Sequence, residues 1–337
     1  MESKKQISIH FCDFGTMDGI KDKFIAILKQ KYSVVLDSTN PQYLFYSVFG
    51  GEHIKYNCVK IFYTGENIVP DFNISDYAIG FTIMCYKERY LRYPLYLFYD
   101  EDYKRAVNKH KNISPNILES KGRFCNFIVS NGGANPLRRE AFEALSAYKR
   151  VDSAGKFLNN VGYAVEDKFA FQSECKFSIA FENSSTSGYL TEKLIQAAAS
   201  KTIPIYWGDK SAFGALEANG GGLNEKAVLF VENKADFKRV IDEVKRLDSD
   251  DEAYIAKLKE PLFLDSNHKE IFDKKLADFL YNIFDKENAF MRSFSQIEQS
   301  REKIYKLSMK QYDLYMKTKR ILGTLKRSVL PKKQSKS

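Results

Sequence analysis

The chain of 337 residues has no long apolar run. Nothing approaches the about 18 consecutive apolar residues from which a membrane-spanning helix is read. Cysteine is sparse: Cys12, Cys58, Cys85, Cys125 and Cys175 are scattered, with no Cys-x-x-Cys pair. That excludes a disulfide framework or thiolate zinc site as a sequence signal, and reads as reduced thiols in a cytosolic protein. The four histidines (His10, His53, His110, His268) lie far apart and form no HExxH. GxxxxGK[ST], GxSxG and a GxGxxG following a strand are also missing, so the usual sequence signatures of phosphate, hydrolase and dinucleotide sites do not apply. No signal peptide is read at Met1–Gln6, which runs directly into an apolar strand. What remains is ordinary globular composition, with 44% hydrophobic and 28% charged residues, enough chain for two domains.

A net charge of +9 suggests a polyanionic partner until the charge is located. From Arg301 to Ser337 there are 12 Lys/Arg and 2 Asp/Glu; the preceding 300 residues hold 40 against 41. The body is therefore neutral, and the positive excess belongs to the tail. A neutral body without a recognisable nucleic-acid motif argues against nucleic-acid binding.

The body alternates strand-like and helix-like segments. Gln6–Phe11, Tyr32–Leu36, Tyr43–Phe49, Val59–Tyr63 and Tyr77–Phe81 read as strands, with a helical face over residues 21–30. Residues 100–123 are polar and read as a linker. A second series follows: strands at Phe124–Ser130, Lys176–Phe181, Thr202–Trp207 and Ala227–Val231, and helices near 136–148, 191–200 and 236–247. Two such series predict two Rossmann-like domains facing a cleft, with ligands at the carboxyl ends of strands. Ile271, Phe272, Leu276, Phe279 and Leu280 predict a helix over 268–284 that crosses back to the first domain. Beyond Gln296 a basic, roughly amphipathic pattern includes Ile304, Leu307, Leu322 and Leu325.

The most informative stretch is Phe177–Asp209. A buried strand ends in Phe181-Glu182-Asn183, a Ser/Thr/Gly loop follows, a helix begins near Tyr189–Thr191, and a second strand ends at Trp207. The free N–H groups and positive dipole end of such a helix suit a phosphate. Lys193 in its first turn opposes the dipole and suits a diphosphate; Glu192 suits sugar hydroxyls. Asp248-Ser249-Asp250 matches the short metal-binding DxD pattern but sits at a helix end in a polar stretch and reads as a solvated turn. Metal-ligand clustering is absent as a sequence signal. His10 and Cys12 near the end of the first strand are candidates for an acceptor side or for a structural role.

These blocks resemble the α-1,3-fucosyltransferases of glycosyltransferase family 10. The resemblance rests on Phe181-Glu182-Asn183, Gly188-Tyr189-Leu190-Thr191-Glu192-Lys193 and Thr202–Gly208. It is extended by Phe62-Tyr63-Thr64-Gly65-Glu66-Asn67, Asp76–Phe81, Arg89–Tyr96, Phe127–Asn131 and Arg139-Glu140-Ala141-Phe142, and covers roughly residues 5 to 285. It implies a GT-B fold: an acceptor-side domain over 1–120, a GDP-fucose-binding domain over 121–265, a helix crossing back over 266–300 and a basic amphipathic helical tail over 301–337. It implies GDP-fucose as donor, no required cofactor, compatibility with manganese or magnesium stimulation, and inversion at the anomeric carbon. By resemblance, Asn183, Tyr189, Glu192 and Lys193 contact the donor, Arg139 grips the diphosphate with Arg138 as the alternative, and Glu66 is the general base.

The acceptor implied is an oligosaccharide of N-acetyllactosamine type, fucosylated on O3 of N-acetylglucosamine to a Lewis x-like product in lipopolysaccharide or a related glycan. An α-1,4 linkage, or α-1,3 on glucose, remains an alternative. A different class, a non-catalytic protein binding nucleic acid or membrane through its tail, is less consistent with the presence of both Glu66 and the Tyr-x-Thr-Glu-Lys block. The tail is expected to attach the protein peripherally to the cytoplasmic face of an anionic inner membrane. Leucine-containing heptad repeats, which some bacterial members carry, are not evident.

Overall fold

The computed structural model describes residues 4–215, 221–292 and 296–329. The elements in chain order are β1 (Gln6–Cys12), α1 (Asp18–Lys31), β2 (Ser33–Leu36), β3 (Tyr43–Tyr46), β4 (Val59–Tyr63), β5 (Tyr77–Gly80), β6 (Tyr90–Arg92) and α2 (Asp100–Val107). They continue with β7 (Arg123–Phe127), α3 (Leu137–Ser146), β8 (Val151–Ser153), α4 (Lys168–Ser173), β9 (Cys175–Phe181), α5 (Glu192–Ala199) and β10 (Ile203–Trp207). Last come β11 (Leu229–Phe230), α6 (Phe237–Ser249), α7 (Asp251–Leu258), α8 (His268–Phe284) and α9 (Gln296–Val329). Two compact units result: Met1–Tyr63 with Pro70–Ala78 and Ile283–Ser337, and Thr64–Val69 with Ile79–Asn282.

In the first unit the strands lie in the order β2-β1-β3-β4-β5, with β1 parallel to β2 and β3, and β3 parallel to β4. The chain winds to one edge and then reverses, which leaves a crevice at the carboxyl ends of β1 and β3. That crevice is filled from within. Asp13, in left-handed backbone at φ 61°, accepts from the Glu52 and His53 N–H groups and sits 2.8 Å from His53 Nδ1. The His53 ring stacks on Tyr46. Cys12 is buried, and burial pushes its thiol up; His10 packs against Tyr56. The end of the chain completes this unit. Phe284 packs on Tyr43, and Arg292 pairs with the buried Asp76 at 2.9 Å while donating to the Cys58 carbonyl.

The second unit holds a five-stranded sheet in the order β11-β10-β9-β7-β8, with β10 parallel to β9 and β11, and β7 parallel to β8 and β9. β9 and β10 are buried almost throughout because helices cover both faces, so they read as continuous apolar runs and not as alternation. α6 places Val240, Val244 and Leu247 on its buried face. The turn before it is closed reciprocally: Asn233 Oδ1 accepts from the Ala235 N–H and Asp236 accepts from the Asn233 N–H. Residues 100–123, polar enough to suggest a linker, instead form α2 and two 3₁₀ turns. Tyr103 and Ala106 are the buried side of α2, and Asp102 accepts from Gln196 of α5. Two inward residues suffice for a two-turn helix whose other face is charged. The short β8, α4 and α7 were likewise not evident, because each offers only two or three buried positions.

Candidate active site

The chain reverses across the second sheet between β7 and β9, so the crevice at their carboxyl ends is where ligands are expected. Both segments flanking it are polar: Ser130–Asn135 after β7, and Glu182–Tyr189 after β9. Arg138, in the first turn of α3, reaches into the gap and is 1% exposed. Its Nε donates to the Glu182 carbonyl at 2.9 Å, Nη2 to the Phe181 carbonyl at 2.8 Å and Asn183 Oδ1 at 2.7 Å, and Nη1 to the Asn131 carbonyl at 3.2 Å. All four acceptors are neutral, and among the described residues no carboxylate forms an ion pair with Arg138. Burial pulls its pKa below the ordinary value. A guanidinium has five N–H donors, so one on Nη1 remains for a ligand, together with a positive charge that Glu182 and Glu192 favour from a distance without pairing with it.

Arg139, one residue on, is not brought to this cluster. Its side chain is 51% exposed, lies over the Phe157 ring and pairs with Glu143 at 3.6 Å. Consecutive helical residues point about 100° apart. Arg138 shares the inward face with Ala141 and Leu145, and Arg139 does not.

Across the crevice, β9 delivers Glu182, which is fully buried. Its carboxylate accepts from the Thr191 N–H at 2.8 Å and the Thr191 hydroxyl at 2.6 Å, satisfying a donor at the start of α5 that the helix itself leaves free. Lys193 Nζ lies 3.3 Å from the same carboxylate, 2.9 Å from Thr191 Oγ1 and 3.6 Å from Glu192. Burial works against the Lys193 charge, but Glu182 and Glu192 outweigh it, and its pKa is raised. Burial works against ionised Glu192 as well, and Lys193 and Lys168 bring its pKa down. The ammonium and the Glu192 carboxylate thus stay charged at neutral pH.

The loop between is shaped for close approach. Gly188 has φ 87°, its N–H donates to Asp209, and a Cβ there would lie 2.3 Å from the Phe81 carbonyl oxygen. Only glycine fits that position without strain. Tyr189 follows, buried and edge-to-face with Phe81. Asn183 is half-buried and meets Arg138.

Glu66 follows β4 in a turn closed on itself: the Glu66 N–H donates to Thr64 Oγ1, and that hydroxyl donates to the Glu66 carbonyl, each at 3.0 Å. Its half-exposed carboxylate makes no hydrogen bond among the described residues. Tyr189 and Tyr99 are pushed up chiefly by burial, with the Glu66 charge contributing to both, so that carboxylate lies within electrostatic reach of both rings. A recess of about 540 Å³ opens at the ends of β7 and β8, lined by Ile128, Ser130, Gly155, Asn159, Tyr163 and Lys168 among others.

Four of the residues singled out from sequence, Asn183, Tyr189, Glu192 and Lys193, converge around this crevice, and Glu66 lies within electrostatic reach of Tyr189. The buried Glu182 carboxylate, Lys168 and the Asn67 side chain were not singled out, because a lone charge or amide in a loop reads as solvated. Asp248 and Asp250 serve structure: Asp248 pairs with Lys149 and Lys176, and Asp250 caps α7 by accepting from the Ala253 N–H.

A doubly wound parallel unit with a cationic pair at its switch point and a carboxylate turn beside it has the features of an anion-binding site at the carboxyl ends of its strands. Comparison with known proteins narrows the class. The α-(1,3)-fucosyltransferase FucT N-terminal domain matches residues 9–99, and the glycosyltransferase family 10 (fucosyltransferase) C-terminal domain matches residues 118–259. The α-(1,3)-fucosyltransferase FucT of Helicobacter pylori is 33% identical over 307 residues, covering 78% of this chain and 62% of the relative. A putative fucosyltransferase of Acanthamoeba polyphaga mimivirus is 28% identical over 224 residues, 61% of this chain and 34% of its own length. A crystal structure of an α1,3-fucosyltransferase with GDP-fucose superposes with a TM-score of 0.68 at 28% identity, covering 87% of this chain and 94% of that one. The chain belongs to the glycosyltransferase family 10 fucosyltransferases. It spans about three fifths of the Helicobacter relative's length and a third of the viral one's.

Proposed function

We propose that the protein is a GDP-fucose-dependent α-1,3-fucosyltransferase that inverts the anomeric carbon and acts on O3 of N-acetylglucosamine in N-acetyllactosamine-type glycans. The observation that carries the reading is the pair Arg138 and Lys193, both held at the β7–β9 switch point and both predominantly charged. Arg138, not Arg139, is the diphosphate arginine in this reading. The recess beside Ser130 takes the nucleoside, since its volume falls within the range of small-molecule sites.

The chemistry follows from these roles. The acceptor hydroxyl oxygen bonds to the anomeric carbon as that carbon's bond to the diphosphate oxygen breaks. The hydroxyl proton passes to the Glu66 carboxylate, and GDP departs with its new charge facing Arg138 and Lys193. Cations fixed in advance around a leaving group stabilise the charge that develops on it, and such electrostatic stabilisation often dominates catalysis. A general base typically adds about 10²–10⁴-fold. With the leaving group neutralised in this way, no general acid is needed.

The test is transfer from GDP-fucose to N-acetyllactosamine, read by mass spectrometry and linkage analysis, with Glu66→Gln alongside. The expected product carries fucose on O3 of the glucosamine and falls by at least about 10²-fold in the variant. The absence of both transfer and a GDP-fucose-induced rise in melting temperature refutes the donor assignment.

We also propose that residues 301–337 attach the protein to anionic membrane surfaces from the cytoplasmic side. No helix among the described residues is long and apolar enough to cross a membrane. Ile304, Leu307, Leu314 and Ile321 of α9 are exposed among lysines, while Tyr305 is half-buried; residues 330–337 lie outside the described residues. Each Lys or Arg near such a surface contributes about 1 kcal/mol. Co-sedimentation with phosphatidylserine vesicles should drop on removing 301–337, and equal pelleting refutes the attachment.

A further inference from the structure

One side chain holds the Glu66 turn to the loop that follows β9. The Asn67 carboxamide nitrogen donates to Ser184 Oγ, and its oxygen accepts from Thr186 Oγ1 at 2.7 Å. Both ends of the amide are used, and both partners lie in the short span between Asn183, which Arg138 holds, and Gly188, which Asp209 holds. The Thr186 carbonyl in turn accepts from the Tyr189 N–H at 2.9 Å. On the other side of Asn67, the Glu66 main chain is closed on Thr64, and the Ile68 N–H donates to the Glu66 carbonyl at 2.7 Å. The turn carrying Glu66 is therefore anchored at its base by Thr64 and at its tip by Asn67. Nothing else among the described residues hydrogen-bonds the Glu66 carboxylate, so its direction depends on this main chain.

We propose that Asn67 is a positioning residue: by bridging Ser184 and Thr186 it holds the Glu66 carboxylate in register with the donor loop. The inference rests on the reading of Glu66 as general base. Proton transfer needs heavy atoms about 2.6–3.2 Å apart. A misplacement of about 1 Å from a change outside the chemistry can cost 10²-fold. Leucine has the shape of asparagine but neither donor nor acceptor, so it removes both bridges with little change in volume.

The experiment uses the full chain. Asn67→Leu, the pair Ser184→Ala/Thr186→Val, and the triple combination are compared with wild type and Glu66→Gln, using GDP-fucose and N-acetyllactosamine. Expected for Asn67→Leu is a fall in kcat of about 10²-fold, with KM for GDP-fucose and the GDP-induced melting shift near wild type. Here kcat is taken per GDP-binding site counted by titration calorimetry; a role confined to folding would lower that count and leave kcat per site at the wild-type value. The loop pair falls comparably, and the triple falls no further than the worse of the two, because the same bridge is removed from each side. Wild-type kcat in Asn67→Leu beside an inactive Glu66→Gln overturns the positioning role alone. A raised KM with kcat intact also overturns it, in favour of donor binding. Full activity in Glu66→Gln overturns the base reading, and with it this one. Should Asn67→Leu fail to fold, the loop pair breaks the same two bonds from the other side and decides the question.

Discussion

Arg138 and Arg139 are neighbours in sequence with opposite predicted behaviour, and that contrast tests the site most directly. Arg138 engages four acceptors through a planar fork; lysine has three N–H groups on a point charge and leaves at least one acceptor without its donor. A hydrogen bond to a charged group contributes roughly 1.5–3 kcal/mol, so losing one or two costs about 1.5–6 kcal/mol of stability. Truncating one member of a buried, hydrogen-bonded charge pair typically costs about 2–5 kcal/mol of binding, or 30- to several-thousand-fold. Arg138→Lys should therefore unfold at lower temperature and bind GDP at least about 30-fold more weakly. Arg139→Ala removes a 3.6 Å surface pair and an exposed ring contact, which together contribute no more than about 2 kcal/mol of stability and neither of which reaches the crevice. Titration calorimetry with GDP and ligand-free melting curves separate the two effects. The refuting result is near-wild-type GDP affinity in Arg138→Lys, or a tenfold loss in Arg139→Ala.

Two further outcomes follow from local geometry. Gly188→Ala forces a Cβ against the Phe81 carbonyl at φ 87°, where a non-glycine residue costs about 1–3 kcal/mol before any clash; a lowered melting temperature and weaker donor binding are expected, and unchanged GDP affinity refutes the claim that this turn shapes the site. Lys109 is buried, its ammonium has no hydrogen-bond partner among the described residues, and burial, aided by Lys257, lowers its pKa to about 8. The unfolded chain therefore binds more protons than the folded one between about pH 8 and 10.5, so this lysine makes stability rise with pH across that window. At pH 7 the folded state bears the full cost, at most about 3 kcal/mol. Lys109→Met should raise the melting temperature at pH 7 and much less at pH 10.5; destabilisation at pH 7 refutes the account.

The parts of the site that were legible in the sequence share a physical cause. β9 and β10 are buried on both faces, so their apolar runs are unbroken, and the polar loop between Phe181 and Thr191 stands out by contrast. The start of α5 was predicted within a residue or two, because a hydroxyl residue followed by Glu192-Lys193 and an apolar run marks a helix N-terminus. What was not legible depends on phase or on partners distant in sequence. The phase of α3 decides between two arginines, and the signal was present: Arg138 lies three and seven residues before Ala141 and Leu145, the two apolar residues that are buried, whereas half-exposed Phe142 suggests the other phase. Partner-dependent roles left no such trace. Glu182 meets Thr191 nine residues away, and Asn67 meets Ser184 and Thr186 more than a hundred residues away.

Those partnerships also explain why the legible and hidden residues belong to one device. Lys193 opposes the positive end of α5, which would be destabilising for the helix alone. The Glu192 carboxylate, 3.6 Å away and held low in pKa by Lys193 and Lys168, supplies compensating charge. The Glu182 carboxyl, whose pKa burial raises and Lys193 draws back, lies 3.3 Å from the ammonium and satisfies the free N–H of Thr191. A helix start that is unfavourable by its own electrostatics is thereby made stable, with its ammonium held charged and partly exposed at the crevice. Arg138 reaches the backbone of the same Glu182 from the opposite wall, so displacing this one residue would disturb both cations. The site's positive charge is thus fixed in advance of any ligand, and this preorganisation is what the proposed reaction, with its departing GDP, would draw on.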